Sequence, residues 1–226
     1  MHLKIIWENL GRTVYDLRVA EPLTDTSASE DPRWQRTRQA LTVAVLELAA
    51  DHPIRQISVN QLTKHAGVDR TTFYNHAGSP EALLQAILTT EVEQVYQRFR
   101  QEFDKHSLSP YELQEKAFRQ ILTHVIARQE IYRSSLHNGA GNLVQMVIGT
   151  HFTSAAREML DEDLYPFDPP IELDEFRKEF ASRSVSAGIV GGITAWLLED
   201  DELEIDRFID SFHLFLPAWF TMADSR

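Results

Sequence analysis

Residues Ser58–Ala77, SVNQLTKHAGVDRTTFYNHA, combine hydrogen-bonding side chains with helix punctuation at short intervals. Ser58 and Asp69 are side chains that favour helix N-caps, and Gly67 supplies the positive φ that a tight turn often needs. Val59, Leu62, Ala66, Val68 and Phe73 are available for a small shared core. Two short capped helices joined by a glycine turn make a helix-turn-helix. Its second helix presents Arg70, Thr71, Thr72, Tyr74, Asn75 and His76. Hydroxyl, amide and imidazole groups hydrogen-bond phosphates or base edges, and a threonine methyl can touch a thymine methyl. Such a helix lies in the DNA major groove with its N-terminal residues toward the bases. The backbone amides near Ser58 and Val59, at the start of the first helix, are placed to hold a phosphate.

The charge distribution fits this reading. The whole chain of 226 residues has a formal net charge of −12. Residues 33–76 nevertheless carry six Lys/Arg (Arg33, Arg36, Arg38, Arg55, Lys64, Arg70) against three acids (Glu47, Asp51, Asp69), whereas the remainder carries 16 bases and 31 acids. Phosphate binding depends on local positive charge, so an acidic chain can still hold a basic reading head.

The elements that must position these groups read as helices almost throughout. Leu41, Val45 and Leu48 share one face of a helix over Arg33–Asp51, which Pro53 helps to end. Short helices follow over Val59–His65 and Arg70–Asn75. Ser79, Pro80 and Glu81 then start a long helix running to about Asp104. Further helical periodicity covers Tyr111–Ala127, Gln129–Leu136, Gly141–Leu160, Leu173–Glu199 and Ile205–Ala223, the last kinked at Pro217. No segment has a convincing period of two, so the expected class is all-α, with about nine helices. Ahead of them, Leu3–Val19 has the spacing of a short amphipathic helix or a frayed tail, and Glu21–Pro32 reads as a linker.

Several chemistries are excluded by composition. Without cysteine there are no disulfides, thiolate metal sites or cysteine nucleophiles, which fits a reducing cytoplasm. No apolar run reaches the roughly 18 residues of a membrane span, and the first residues lack the apolar core and cleavage site of a signal peptide. There is no GxSxG and no phosphate-cradling glycine loop, so the chain is not expected to be an enzyme. The acids of Asp161–Asp163 and Glu199–Glu202 read as solvated helix ends. His124, His137, His151 and His213 have no metal-ligand spacing, so neither metal nor cofactor is expected.

The motif resembles that of the Tet repressor (TetR/AcrR) family of transcriptional regulators. The resemblance rests on Leu41, Leu48-Ala49, Ile57–Leu62, His65-Ala66-Gly67-Val68, Thr72–His76 and Glu81–Leu84. It implies that Thr71, Thr72, Tyr74, Asn75 and His76 face the major groove, with Tyr74 and His76 on phosphates. Two positions depart from the family pattern. Pro80 stands where a phosphate-gripping base starts the fourth helix, and Ala77 replaces the usual aromatic. Arg33, Arg36, Arg38, Lys64 and Arg70 are available to compensate.

The resemblance also implies that the larger C-terminal region binds a ligand and forms the dimer. Ala187, Gly188, Gly191, Gly192 and Ala195 allow close helix approach. A glycine costs about 1 kcal/mol inside a helix, so several of them suggest a packing reason. Ala187, Gly188, Gly191, Thr194, Ala195, Leu198, Phe212, Phe215 and Trp219 form the expected dimer face, an ordinary internal core being the other reading. Phe118, Leu122, Val125, Tyr132, Leu136, Met146, Val147 and Phe152 are available to line a pocket between helices, or simply to fill a core.

The expected organisation is an N-terminal extension over 1–32, a three-helix DNA-binding domain over 33–78 and a helical ligand-binding and dimerisation domain over 79–226. The expected function is a homodimeric, ligand-responsive transcriptional regulator, a repressor. Its partners are a palindromic duplex DNA operator, a second copy and a small-molecule effector of unknown identity, without a membrane. A protein-interaction module that does not bind DNA is the alternative.

Overall fold

Helix signals in the sequence become elements in the computed structural model, which describes residues 31–103, 110–137, 143–163, 165, 167, 171–199 and 202–221. The expectations for residues 1–30 lie outside the described residues. The helices are α1 (Pro32–Asp51), α2 (Val59–Ala66), α3 (Arg70–His76), α4 (Pro80–Phe103), α5 (Pro110–Ala127), α6 (Gln129–His137), α7 (Thr150–Asp161), α8 (Glu175–Leu197), α9 (Ile205–Phe215) and α10 (Ala218–Thr221). A 3₁₀ turn at Ile54–Gln56 precedes α2, and a π-helical turn at Val144–Gly149 leads into α7. Among the described residues there is no strand.

The chain divides into two units, residues 1–40 and 41–226, with the division falling inside α1. In the first unit, the Asp31 carboxylate accepts from the Arg33 amide at 2.8 Å and the Arg36 Nε donates to the Pro32 carbonyl at 3.0 Å. All remaining features belong to the second unit.

Within that unit the head closes over Leu41, Val45, Ile57, Leu62 and Phe73, all buried. Leu83, Leu84 and Leu88 of α4 are buried in the same way. The start of α4 is set by Ser79, whose hydroxyl accepts from the Ala82 amide at 3.1 Å, and by Pro80, which has no N–H to leave unsatisfied at a helix start.

Farther along, α7 and α8 pack tightly. Ser186 Oγ donates to the Gly149 carbonyl at 2.7 Å. A side chain at Gly149 would place its Cβ 2.6 Å from Gln145 Nε2 and 2.9 Å from Val190 Cγ2, so only glycine fits this contact. Around the rim, Arg157 pairs with Asp161 at 3.0 Å and with Glu175, and Lys178 reaches Asp161 at 2.9 Å. The end of α8 is held from α6, since Arg133 donates to Leu197 O, the last carbonyl of α8, at 2.8 Å and to Glu199 O just past it at 3.1 Å.

Two predicted helices differ in detail. Pro217 ends α9 instead of kinking it. Leu216, the residue before the proline, takes extended backbone (φ −89°, ψ 154°), the conformation such positions prefer, and α10 is a separate short turn. The helix predicted over Gly141–Leu160 contains the π-helical turn, whose period no hydrophobic spacing announced.

Candidate nucleic-acid interface

The helix-turn-helix is built by reciprocal caps. Gln61 N donates to Ser58 Oγ at 3.2 Å, and the Ser58 amide and hydroxyl donate to Gln61 Oε1 at 2.9 and 2.8 Å. This capping box fixes the entry of α2 and leaves the next amides, those of Val59 and Asn60, outside the intrahelical ladder. Gly67 closes α2 at φ +67°, and the Val68 amide bonds back to Thr63 O at 3.0 Å. Asp69 then caps α3, accepting from the Thr72 amide at 2.8 Å and the Thr72 hydroxyl at 2.6 Å. These hydrogen bonds hold the Asp69 carboxyl below its usual pKa, so it stays ionised.

The faces of α3 sort cleanly. Phe73 is fully buried, whereas Arg70, Thr71, Tyr74 and Asn75 are exposed, Tyr74 by 55%. Thr72 and His76 are half-buried. Among the predicted reading residues, Thr72 is the one whose hydroxyl proton is already committed, to Asp69; its lone pairs and methyl remain for a partner. Tyr74 rests edge-on against Phe73, with ring centroids 5.3 Å apart, which gives its phenol a fixed base. Ser58 and Lys64 are exposed and Val59 is half-buried.

The two departures from the family pattern are also resolved. Pro80 is buried at the first position of α4, and Ala77 is half-buried just past α3. Near them Arg55 pairs with Glu81 at 3.8 Å, both substantially exposed, so a cation does stand beside the start of α4, from another element.

The C-terminal helices enclose a second site. A narrow cavity lies between α4, α5, α7, α9 and α10. Of the predicted pocket residues, Phe118 and Phe152 line it. Leu122, Val125, Tyr132 and Val147 are instead buried core, and Leu136 and Met146 lie half-buried outside the lining. The reason is helical period: Gln114, Phe118 and Ile121 share the cavity face of α5, and Leu122 and Val125 fall on the adjoining face. Tyr96, Gln114, His151, Met159, Tyr165 and Phe220 complete the wall and were not anticipated as lining. The sequence offers His151 only as a candidate metal ligand. Burial pushes its imidazole pKa down to about 4, so it is neutral at neutral pH.

Tyr132 has a different task. Its hydroxyl meets His124 Nε2 at 2.9 Å, His124 Nδ1 lies 3.4 Å from Glu91, and Arg128 grips Glu91 with two bonds of 2.7 and 3.1 Å. This cluster ties α4 to α5 and α6. Among the described residues no group of three or more His, Asp or Glu is arranged to hold a metal ion.

On α8 the small residues of the predicted dimer face are exposed at Ala187, Gly188, Gly191 and Ala195, as is Leu198, and Thr194 is half-buried. A Cβ at Gly188 would stand 2.8 Å from Leu216 Cδ2, the end of a side chain that can turn aside. Phe215 is 80% exposed. Phe212 is turned inward at 7%, with its ring centroid 4.2 Å from that of Phe118, and Trp219 is half-buried against Tyr165 and Phe167.

Residues 41–87 match the family model described as bacterial regulatory proteins, tetR family. A curated relative, the HTH-type transcriptional regulator EthR of Mycobacterium tuberculosis, is 38% identical over 82 residues, covering 32% of this chain. The chain spans 38% of the length of that relative. Among solved structures, the fatty acid degradation regulator FadR from Bacillus halodurans superposes with a TM-score of 0.59 at 16% identity, covering 84% of this chain and 96% of that one. A putative TetR-family transcriptional regulator from Rhodococcus sp. gives 0.54 at 17% identity, covering 81% and 100%. At these identities the two structures show a shared fold. Residues 41–87 thus carry the helix-turn-helix of the tetR family of bacterial regulatory proteins, and the helical fold behind them is shared with these two solved structures.

Proposed function

We propose that the protein is a homodimeric, ligand-responsive transcriptional regulator, a repressor, that reads a palindromic operator in duplex DNA with α3. The observation that carries this reading is the exposed polar face of α3, Arg70, Thr71, Tyr74 and Asn75, held rigid by the Asp69 cap and the buried Phe73. Side chains fixed by caps and packing lose little freedom on meeting base edges. A dimer places two such helices about 34–36 Å apart, one DNA turn, and covers a promoter by its bulk alone. The exposed small-residue face of α8 and Phe215 support self-association. The cavity supports ligand response, provided the ligand binds the two head spacings with different affinity. No helix among the described residues is long and apolar enough to cross a membrane, and a regulator of this kind works in the cytoplasm beside its DNA.

The test is selection of bound sequences from random duplex DNA at low salt, repeated with Tyr74→Ala and Thr71→Ala. An enriched palindrome, lost in both variants, is the expected result, and its affinity should fall steeply with salt. The buried Pro80, in place of a phosphate-gripping base, favours one second reading: a partner-binding module on the same fold. Folded, dimeric protein that enriches no sequence would select it.

A further inference from the structure

The chemistry of the cavity wall restricts what the cavity can hold, and this inference rests on the reading of the C-terminal region as the ligand-sensing part of a regulator. The wall is mainly aromatic and aliphatic, with Phe118, Phe152, Phe212 and Phe220 around Ile121 and Met159. It contains no arginine, lysine, aspartate or glutamate among the described residues. Four lining side chains carry polar groups. The Tyr96 hydroxyl donates to Glu158 at 2.7 Å, the Gln114 amide nitrogen donates to Phe220 O at 2.8 Å, and the Tyr165 hydroxyl donates to Met159 Sδ at 3.3 Å. The two phenol protons are thus used, while Gln114 keeps a second N–H and its carbonyl oxygen.

His151 differs. Its ring stands edge-on to Tyr96 and Phe152, with centroids 5.1 and 5.6 Å away. It lies deep in the protein yet keeps accessible surface, which faces the cavity. Burial holds the imidazole neutral, so it offers one N–H donor and one nitrogen acceptor. A ligand group that meets the cavity-facing edge of this ring gains a hydrogen bond there.

We propose that this cavity takes an uncharged, mainly apolar ligand carrying one hydroxyl or carbonyl group that hydrogen-bonds to His151. An anionic ligand would lose its hydration and find no cation, with the Glu158 carboxylate standing just behind Tyr96. A cationic ligand would find aromatic faces, but no carboxylate in the wall and a Glu158 already bonded to Tyr96.

The test uses the full chain and the uncharged hydrocarbon fluorophore diphenylhexatriene. It is displaced by 1-decanol, by decanoate at pH about 8, or by decyltrimethylammonium, all below their micelle concentrations. Decanol should bind at least about tenfold more tightly than either ion, because only the ions bury an uncompensated charge. His151→Phe should weaken decanol about fivefold while leaving diphenylhexatriene within twofold, the size of one lost hydrogen bond. Ala155→Trp, which fills the cavity, should abolish binding of both in protein whose helical circular dichroism is intact. Decanoate or the ammonium binding as well as decanol, an absence of fluorophore binding to folded protein, or an unchanged decanol preference in His151→Phe would each overturn the proposal. Decanol binding without any change in operator affinity would support the ligand class and overturn the regulatory reading on which it rests.

Discussion

The Thr72 hydroxyl donates to the Asp69 carboxylate across 2.6 Å, so one threonine of α3 is held by the helix's own cap. Its neighbour Thr71 is exposed and Thr72 half-buried. Two adjacent residues of the same type therefore have different work. Thr72 stiffens the first turn, and Thr71 is presented outward.

Thr71→Ala and Tyr74→Ala are expected to weaken operator binding by about tenfold or more each, the scale of a lost base or backbone contact in a rigid interface. Thr72→Val keeps the methyl and shape but removes the proton given to Asp69. It should lower the thermal midpoint while leaving sequence preference largely intact. Band-shift titrations with the selected operator, paired with melting curves, separate the two effects. Loss of sequence preference in Thr72→Val as complete as in Thr71→Ala would show that the cap is secondary.

His151 makes stability depend on pH in a predictable direction. Its folded pKa is depressed to about 4 by burial, below the ordinary value of 6.5. Above pH about 6.5 the imidazole is neutral in both states and stability is full. Below that value the unfolded chain binds a proton that the folded one refuses, so stability falls until pH reaches about 4. Between pH about 7.5 and 5.5 the loss from this group is about 1.4 kcal/mol. Burial also lowers the pKa of His124, although Glu91 opposes it, which adds loss of the same sign. Urea unfolding at the two pH values should show a smaller difference in His151→Phe than in the unaltered chain; an equal difference would assign the pH dependence elsewhere.

The head was legible in the sequence because its signals are local. Ser58, Gly67, Asp69 and Ser79 each act on backbone within a few residues, and all four take the predicted cap or turn positions. The cavity was much less so. Phe118 and Phe152 were anticipated, but Leu122 and Val125 share their apolar character, and only the rotation of α5 decides which side chain meets a void. Tyr165 lies between helices, where periodicity says nothing, and its aromatic contacts with Trp219 and Phe220 depend on the break at Pro217. The role of Tyr132 depended on partners distant in sequence, notably Glu91.

The Glu91 cluster sits midway along α4. One end of that helix contributes Leu83 and Leu84 to the head core, and Val95 and Tyr96 farther on line the cavity. Tyr132→Phe removes the hydroxyl that meets His124 and should cost about 1–2 kcal/mol, since the imidazole nitrogen is left in a buried place without it. Glu91→Gln should give a loss that is not additive with it, because both act on His124. A double-mutant cycle in urea measures this, and strict additivity would mean the cluster does not act as a unit.

Phe212 and Phe215 stand three residues apart on α9 and should separate folding from self-association. Phe212 is 7% exposed and packs on Phe118 with a centroid distance of 4.2 Å, so Phe212→Ala deletes part of the subunit core. The expected cost is about 3 kcal/mol or more, the range for a buried phenylalanine, with secondary losses in ligand binding because the ring lines the cavity. Phe215 is 80% exposed, so within one subunit its ring contributes little to folding. If Phe215 joins the exposed face of Ala187, Gly191 and Ala195 against a second copy, Phe215→Asp buries a charge in the dimer alone. Sedimentation should then show monomer at concentrations where the unaltered chain is dimeric, and operator affinity should fall because one recognition helix must act alone. Gly191→Arg should reproduce both effects from α8. A Phe215→Asp protein that remains dimeric and binds the operator normally would place the subunit interface on another surface.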